Sequence, residues 1–295
     1  MKLGFIGLGV MGAPMAAHLV AAGHDVSGYD VSRVAGEKLE AAGGRAADGV
    51  ADAVAGADVV ITMLPNHPQV EAVVLAAGGV LDTAGPGTLL IDMSTIRPET
   101  SIAVAEAARD KGIRVLDAPV SGGQAGAEQA SLSIMVGGAD DDFEAARPIL
   151  DALGKTIVHV GPHGAGQVVK AANQLVVGGT YGLIAEAVVL LEASGVDAAT
   201  GLDVLAGGLA GSRILELKRK SMVDRQFAPG FRIDLHHKDM GIALAAARQA
   251  DVALPLTGLV AQLVAAGRAM GYGSLDHSAL LKVVEQLSGR VPAEV

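Results

Sequence analysis

Six residues near the amino terminus, Gly7, Leu8, Gly9, Val10, Met11 and Gly12, form a G-x-G-x-x-G string. At this spacing the first glycine allows a tight turn and the second lets backbone approach a pyrophosphate. The third permits close helix–strand packing, and the helix that follows offers its amide donors to phosphate. A chain with 40 glycines in 295 residues produces such strings by chance, so the flanks decide. An apolar run at 3–6 precedes the string, a helical stretch at 11–22 follows, and a second β-like run ends at Asp30. A carboxylate at the end of that run accepts both ribose hydroxyls of NAD and repels a 2′-phosphate. Arg33, three residues on, could turn toward such a phosphate, so NAD is the expected cofactor and NADP the alternative. A ligand-free glycine turn is the competing reading.

Lys170 is the next residue with chemical potential. It is the only charged side chain between His163 and Glu186, in a stretch built mostly of Ala, Val, Leu and Gly. Asn173 is three residues on, hence on the same helical face. Taken alone, such a lysine could equally pack its stem on the helix and keep its ammonium in water. Ser121-Gly122-Gly123 follows a β-like run, and two glycines with a hydroxyl can offer donors to a small anion; a plain turn is the alternative. Met63, Leu64 and Pro65 end another run, and Ser94-Thr95 a third, at the strand edge where a nicotinamide would lie. Thr95 reads equally well as a cap for the helix entered at Pro98. The eight histidines show no H-E-x-x-H or comparable spacing, so no metal is expected.

Positioning these residues requires two kinds of architecture. Through residue 160, β-like runs at 3–7, 26–29, 59–64, 89–92, 114–116, 133–136 and 157–160 alternate with helical stretches at 11–22, 34–42, 68–75, 98–111 and 143–153. Several runs are continuously apolar, as parallel strands covered on both faces must be. Strand–helix alternation predicts a Rossmann-type, doubly wound parallel sheet over residues 1–162. After Gly161-Pro162-His163-Gly164 the pattern turns helical: one long helix at 165–193, then 198–206, 214–223, 235–250, 256–270 and 278–287. The expected fold is thus α/β, an all-α domain at 163–295 following the nucleotide-binding one.

Composition sets limits on partners. With 22 basic against 32 acidic side chains the net charge is −10, a poor match to nucleic acid or an anionic membrane. Only 3 Tyr and 4 Phe are present, too few for base-stacking platforms. The absence of Cys excludes disulfides and thiolate chemistry and suits a reducing cytoplasm. The mean hydropathy, +0.43, is high and raises a membrane reading. Of the two most apolar stretches, 175–191 contains Glu186 and follows Lys170, Asn173 and Gln174, which argues against it. The other, 3–20, comes after Met1-Lys2 and could pass for a signal peptide, but its glycines and proline fit the nucleotide loop better.

Four strings, taken together, carry a family resemblance: the glycine string with its continuation to Met15; Asp117-Ala118-Pro119-Val120-Ser121-Gly122-Gly123; Gly164-Ala165-Gly166-Gln167 running on to Lys170 and Asn173-Gln174; and His237-Lys238-Asp239-Met240. In this order, over nearly the whole chain, they resemble the β-hydroxyacid dehydrogenase family. The cytoplasmic expectation rests on the absence of Cys; the resemblance implies an oligomeric (dimeric or tetrameric) oxidoreductase acting on a small aldehyde or hydroxy acid with a carboxylate. It implies Lys170 as the proton donor to the carbonyl, with Asn173 holding substrate or lysine. It places the substrate carboxylate on Ser121, Gly122 and Gly123, and has Lys238 reach cofactor or substrate. Segments 207–216, 229–233, 235–239 and 275–279 resemble the branch that reduces tartronate semialdehyde to glycerate more than the 3-hydroxyisobutyrate branch. Ala172 departs from the bulkier residue or Cys of many relatives. A broad β-hydroxyacid dehydrogenase and a redox-silent NAD-binding scaffold are the remaining alternatives.

Overall fold

Alternate residues of the apolar strands serve two different cores. A computed structural model describes residues 1–290. Nine strands form one sheet: β1 (Lys2–Ile6), β2 (Asp25–Tyr29), β3 (Arg45–Ala46), β4 (Val59–Thr62), β5 (Leu89–Asp92), β6 (Arg114–Asp117), β7 (Val120–Ser121), β8 (Leu132–Gly138) and β9 (Gly154–Gly161). Their order is β3-β2-β1-β4-β5-β6-β8-β7, with β9 paired to β8. From β3 through β6 every pairing is parallel; β8 runs antiparallel to β6 and β7. The sheet is therefore mostly parallel, with strand order reversing beside β1 as in a doubly wound fold.

Leu3, Phe5, Val59, Ile61, Leu89 and Ile91 point to one face. Met15, Ala16 and Leu19 of helix α1 (Gly12–Ala21) cover them. Ala35 and Leu39 of α2 (Arg33–Ala41) pack on that same face, while Val60, Leu90 and Val115 point to the other, under α3 (Val50–Val54), α4 (His67–Val74), α5 (Val80–Thr83) and α6 (Pro98–Arg109). Ala53, Val54, Val70, Val74, Val104 and Ala108 close that second layer. The period of two along a strand thus becomes a sheet buried on both sides. Helices α7 (Gly123–Glu128) and α8 (Asp140–Asp151) complete this part of the chain.

The chain divides into two compact units, Met1–Lys170 and Ala171–Val295. Helix α9 (Ala165–Ala193) starts in the first and continues into the second. By length and composition α9 could cross a membrane, with a hydropathy of 1.7. Its Tyr181, Ala185 and Val188 are instead buried in the core of the second unit. That core is completed by α10 (Ala198–Gly207), α11 (Arg213–Val223), α12 (Ile233–Gln249), α13 (Pro255–Gly267) and α14 (Leu280–Leu287). Asp197 caps α10 through Thr200 N, and Ser212 caps α11 through Leu215 N, so two polar side chains fix where helices begin. The stretch expected as one helix at 256–270 ends in a wider turn over Arg268–Tyr272, because Gly271 takes φ +86°.

Candidate active site

The three loop glycines do three different things. Gly7 has φ +98°, and a Cβ there would stand 2.3 Å from the Met63 carbonyl oxygen. At Gly12 a Cβ would lie 1.8 Å from the Gly7 carbonyl oxygen, which is why α1 can start against the turn. At Gly9 a Cβ would meet nothing within 4 Å, so this backbone faces open space, and Val10 beside it is exposed. Asp30, at the end of β2, ties the loop down: its Oδ2 accepts from Leu8 N and its Oδ1 from Ser32 N, both at 2.8 Å. Each carboxylate oxygen keeps a further lone pair for a ribose hydroxyl. An open backbone face at a helix start, with an acceptor carboxylate at the next strand end, fits a dinucleotide. Arg33 is exposed and makes a surface pair with Glu37 at 3.5 Å.

A chain of buried hydrogen bonds joins the next strand ends to the start of α9. Leu64 N donates to Ser94 Oγ at 2.8 Å, which places the Met63-Leu64-Pro65 turn against the end of β5. Asp92 Oδ1 accepts from Thr62 Oγ1 at 2.7 Å and from Ser94 N at 3.1 Å. Gln167 Nε2 donates to Ser94 O at 2.8 Å, while its Oε1 accepts from Ile96 N at 3.0 Å. Asp117, paired in register with Asp92, accepts from Gly164 N at 2.7 Å and Gln167 N at 3.1 Å. Lys170 follows one turn later, 6% exposed. The turn carrying Met63 and Leu64, the loop carrying Thr95, and the first turn of α9 are thus one bonded assembly.

Sequence reasoning placed Ser94 at the strand edge and quoted Asp117 and Gln167 within motifs, but missed Asp92 and the bonding that makes these four the girders. All four are buried, and the available signal was two apolar runs each followed by or ending in an aspartate. Burial pushes the Asp92 carboxyl up to about 6; the bonds from Ser94 and Thr62 pull it down, and the Asp117 charge adds to the rise. Burial raises the Asp117 carboxyl too, against the Gly164 and Gln167 amides. Because the folded protein holds the Asp92 proton more tightly than the unfolded chain, this group favours folding at acid pH. That favour is lost as pH rises from about 4 through about 6. Asp92→Asn keeps an acceptor for Thr62 and Ser94 and removes the buried charge. We expect it to stabilise the fold at pH 8 by up to about 3 kcal/mol and to flatten the loss between pH 4 and 6. Thermal melts across that range check this; a variant melting below the wild type at pH 8 refutes it.

Ser121 ends β7 and Gly122 links it to α7, with Gly122 at φ +137° and Gly123 at +60°. Only glycine adopts this pair of conformations without strain, and a Cβ on Gly123 would meet nothing within 4 Å. In the second unit, Asn173 Nδ2 donates to Gln174 Oε1 at 2.7 Å. Gln174 Nε2 donates to Asp239 Oδ2 at 2.6 Å, and Asp239 Oδ1 pairs with Lys238 Nζ at 3.0 Å. Candidate residues Asn173 and Lys238 are therefore joined through two buried side chains, Gln174 and Asp239, whose bonding the sequence did not predict.

Nearby, His236 finds its partner in His277 rather than in its chain neighbour His237. Their Nδ1 atoms are 3.0 Å apart, and Tyr181 and Phe231 pack on the rings. Asp276 accepts from Gly230 N and Phe231 N and pairs with Lys218 at 3.0 Å. Its carboxyl is held down at about 2, the His277 and Lys218 charges and the Ser278 bond outweighing burial. Segments 229–233, 235–239 and 275–279 thus meet in one polar knot. Among the described residues, no group of three or more His, Asp or Glu is arranged to hold a metal.

A glycine-loop parallel sheet followed by a helical unit, with a buried lysine at the start of the connecting helix, is the build of a nicotinamide-dependent dehydrogenase. Residues 2–161 match the family described as the NAD binding domain of 6-phosphogluconate dehydrogenase. Residues 164–284 match that described as NAD-binding of NADP-dependent 3-hydroxyisobutyrate dehydrogenase. The chain is 41% identical to 2-(hydroxymethyl)glutarate dehydrogenase of Eubacterium barkeri, over 98% of this chain and 96% of that one. It is 40% identical to 2-hydroxy-3-oxopropionate reductase of Escherichia coli, over 98% of each. The structure of Mycobacterium tuberculosis 3-hydroxyisobutyrate dehydrogenase with L-serine superposes with a TM-score of 0.87 at 38% identity, covering 96% of this chain and 98% of that one. The chain belongs to the β-hydroxyacid dehydrogenase family. It is an NAD(P)-dependent oxidoreductase acting on the hydroxyl group of small hydroxy acids.

Proposed function

We propose that this enzyme reduces tartronate semialdehyde (2-hydroxy-3-oxopropanoate) to glycerate, with NADH preferred. The observation that carries the substrate is the run Asn173–Gln174–Asp239, hydrogen-bonded end to end, just beyond Lys170 on α9 and on α12. Asn173 commits one N–H to Gln174, and an amide has another N–H and a carbonyl to offer a 2-hydroxyl. A 2-methyl substituent wants apolar contact there instead. The 40% identity to a 2-hydroxy-3-oxopropionate reductase over nearly the full length supports the same reading.

In this mechanism Ser121 and the Gly122 and Gly123 amides hold the substrate carboxylate. Asn173 orients the substrate. The nicotinamide of the cofactor supplies the hydride in reduction and accepts it in oxidation. Lys170 donates a hydrogen bond to the aldehyde oxygen and passes it a proton as charge develops there, leaving a neutral amine that regains its proton from solvent. Oxidation of the alcohol reverses these steps, with the Lys170 amine as base. The Gly7-to-Gly12 backbone and Asp30 hold the pyrophosphate and ribose, Met63, Leu64, Pro65 and Thr95 line the nicotinamide edge, and Lys238 adds a cation toward the cofactor.

The deciding experiment compares kcat/KM for tartronate semialdehyde and methylmalonate semialdehyde, each with NADH and NADPH. A preference of at least tenfold for tartronate semialdehyde is expected. A preference for the methyl-bearing substrate makes the enzyme a 3-hydroxyisobutyrate dehydrogenase with the same machinery.

The reading includes a cytoplasmic homo-oligomer. Val176, Leu183 and Leu190 are exposed at intervals of seven along α9, the repeat of a helix–helix seam, with Gly179 and Thr180 midway between the first two. A two-fold axis at that midpoint pairs Val176 of one copy with Leu183 of the other, over small residues that let helices approach. Light scattering is expected to give a dimeric or tetrameric mass that Leu183→Glu lowers; a monomeric wild type refutes it.

A further inference from the structure

We infer that Gln167 is the positioning residue that locks Lys170 in register with the loop carrying Thr95. The inference rests on Lys170 as proton donor, as proposed above. Gln167 is 1% exposed and lies one turn before Lys170 on α9. Its amide makes two opposed bonds to a single loop: Nε2 donates to Ser94 O at 2.8 Å, and Oε1 accepts from Ile96 N at 3.0 Å. The backbone groups on either side of Thr95 are therefore held by one side chain. Its own backbone N–H donates to Asp117 Oδ2 at 3.1 Å, and the other oxygen of Asp117 takes Gly164 N at 2.7 Å. The helix start is thus clamped to the end of β6 by Asp117 and to the end of β5 by Gln167.

The chemistry singles out a primary amide of this length. The loop presents one acceptor and one donor, so the side chain must carry one of each in a plane. Methionine fills the space with neither, asparagine falls one methylene short, and an ionised glutamate faces the Ser94 carbonyl oxygen with no hydrogen to give. Three residues along a helix correspond to a rise of about 4.5 Å, with both side chains on one face. A rigid turn that short makes loop position and amine position a single variable. Proton transfer is sensitive to misplacement on the ångström scale, whereas binding of the adenosine half of the cofactor, at the glycine loop and Asp30, is not coupled to this clamp.

The test uses the full-length enzyme and whichever β-hydroxyacid or aldehyde acid the wild type turns over fastest. Gln167→Met is expected to lower kcat by about 10–100-fold, with the NADH Kd, read by fluorescence, within about threefold of wild type. Gln167→Glu is expected to show a deficit at pH 8 that shrinks relative to wild type as pH falls toward 5.5, since a protonated carboxyl regains a donor for Ser94 O. In a Lys170→Ala background, Gln167→Met is expected to cost less than a further twofold, because a residue acting through Lys170 has nothing left to position. A folded Gln167→Met enzyme with at least half the wild-type kcat overturns the inference. If Gln167→Met does not fold, a Gln167→Glu pH profile superimposable on the wild type overturns it. Full additivity with Lys170→Ala assigns Gln167 a merely structural role and also overturns it. Failure of the Lys170 reading itself is separate: Lys170→Ala alone would then remain active.

Discussion

Lys170→Ala is expected to lower turnover by about 10²–10⁴-fold, the span for removing a general acid, with the NADH Kd little changed. The argument begins with the sequence, where a single ammonium stands in more than twenty residues without another charge. Such a side chain could have carried its charge out to water, but it is 6% exposed. Burying a lysine is costly unless its ammonium is paired or hydrogen-bonded, so the surrounding structure must hold it in place. Its helix starts under the control of Asp117, the last residue of β6, which accepts from Gly164 N and Gln167 N, and of Gln167, which bonds to Ser94 O and Ile96 N just past β5. The carboxyl edge of a parallel sheet is where a doubly wound fold binds its ligand. In reduction the aldehyde oxygen gains a full charge, and without a positioned donor only water can neutralise it. The split between constants is the sharp part: kcat should fall, while the cofactor, if held at the glycine loop and Asp30 as proposed, should bind as before. Steady-state kinetics with NADH, with fluorescence titration for Kd, measure both. A loss of less than tenfold removes Lys170 from the chemistry.

Residues bound by local rules were legible in the sequence. The Gly7-to-Gly12 turn shows because close backbone approach at Gly12 and a positive φ at Gly7 leave no other residue type workable. Apolar runs at 59–64 and 89–92 show as β4 and β5 because both faces of each strand are covered. The antiparallel placement of β8 did not show, since a run of apolar residues does not encode direction. Neither did β3 or β7, which at two residues each are too short to make a pattern. Gln167 was quoted within a motif and passed over, because its partners Ser94 and Ile96 are more than seventy residues away. Gln174 with Asp239, 65 residues apart, and His236 with His277, 41 apart, were missed for the same reason. Hydrogen bonds that cross the fold leave no spacing in the chain, so the supporting polar residues emerge only with the coordinates.

Asp30→Ala is expected to reduce kcat/KM with NADH by about 10–100-fold and to leave NADPH little affected, narrowing the preference by at least tenfold. The hydrogen bonds expected between this carboxylate and the ribose hydroxyls would be lost, and 10–100-fold corresponds to about 1.4–2.7 kcal/mol, the net worth of one charge-assisted bond. The carboxylate also holds Leu8 N and Ser32 N at 2.8 Å, so its removal slackens the glycine loop for either cofactor. That common loss cancels in the ratio of the two cofactors, and the ratio is therefore the quantity to read. For NADPH the same substitution removes a negative charge from beside the 2′-phosphate, a gain that offsets the slackened loop. Arg33 is placed to add to it: it pairs with Glu37 on an exposed helical turn, at 3.5 Å, and such pairs are worth about 0–1 kcal/mol. The guanidinium can leave that partner for a phosphate at little cost. Asp30→Asn separates the two effects, since it keeps an acceptor for Leu8 N while losing the charge; it should shift the ratio with a smaller loss for NADH. An NADH-to-NADPH ratio that stays unchanged in both variants means that Asp30 serves the loop alone and that cofactor choice is made elsewhere.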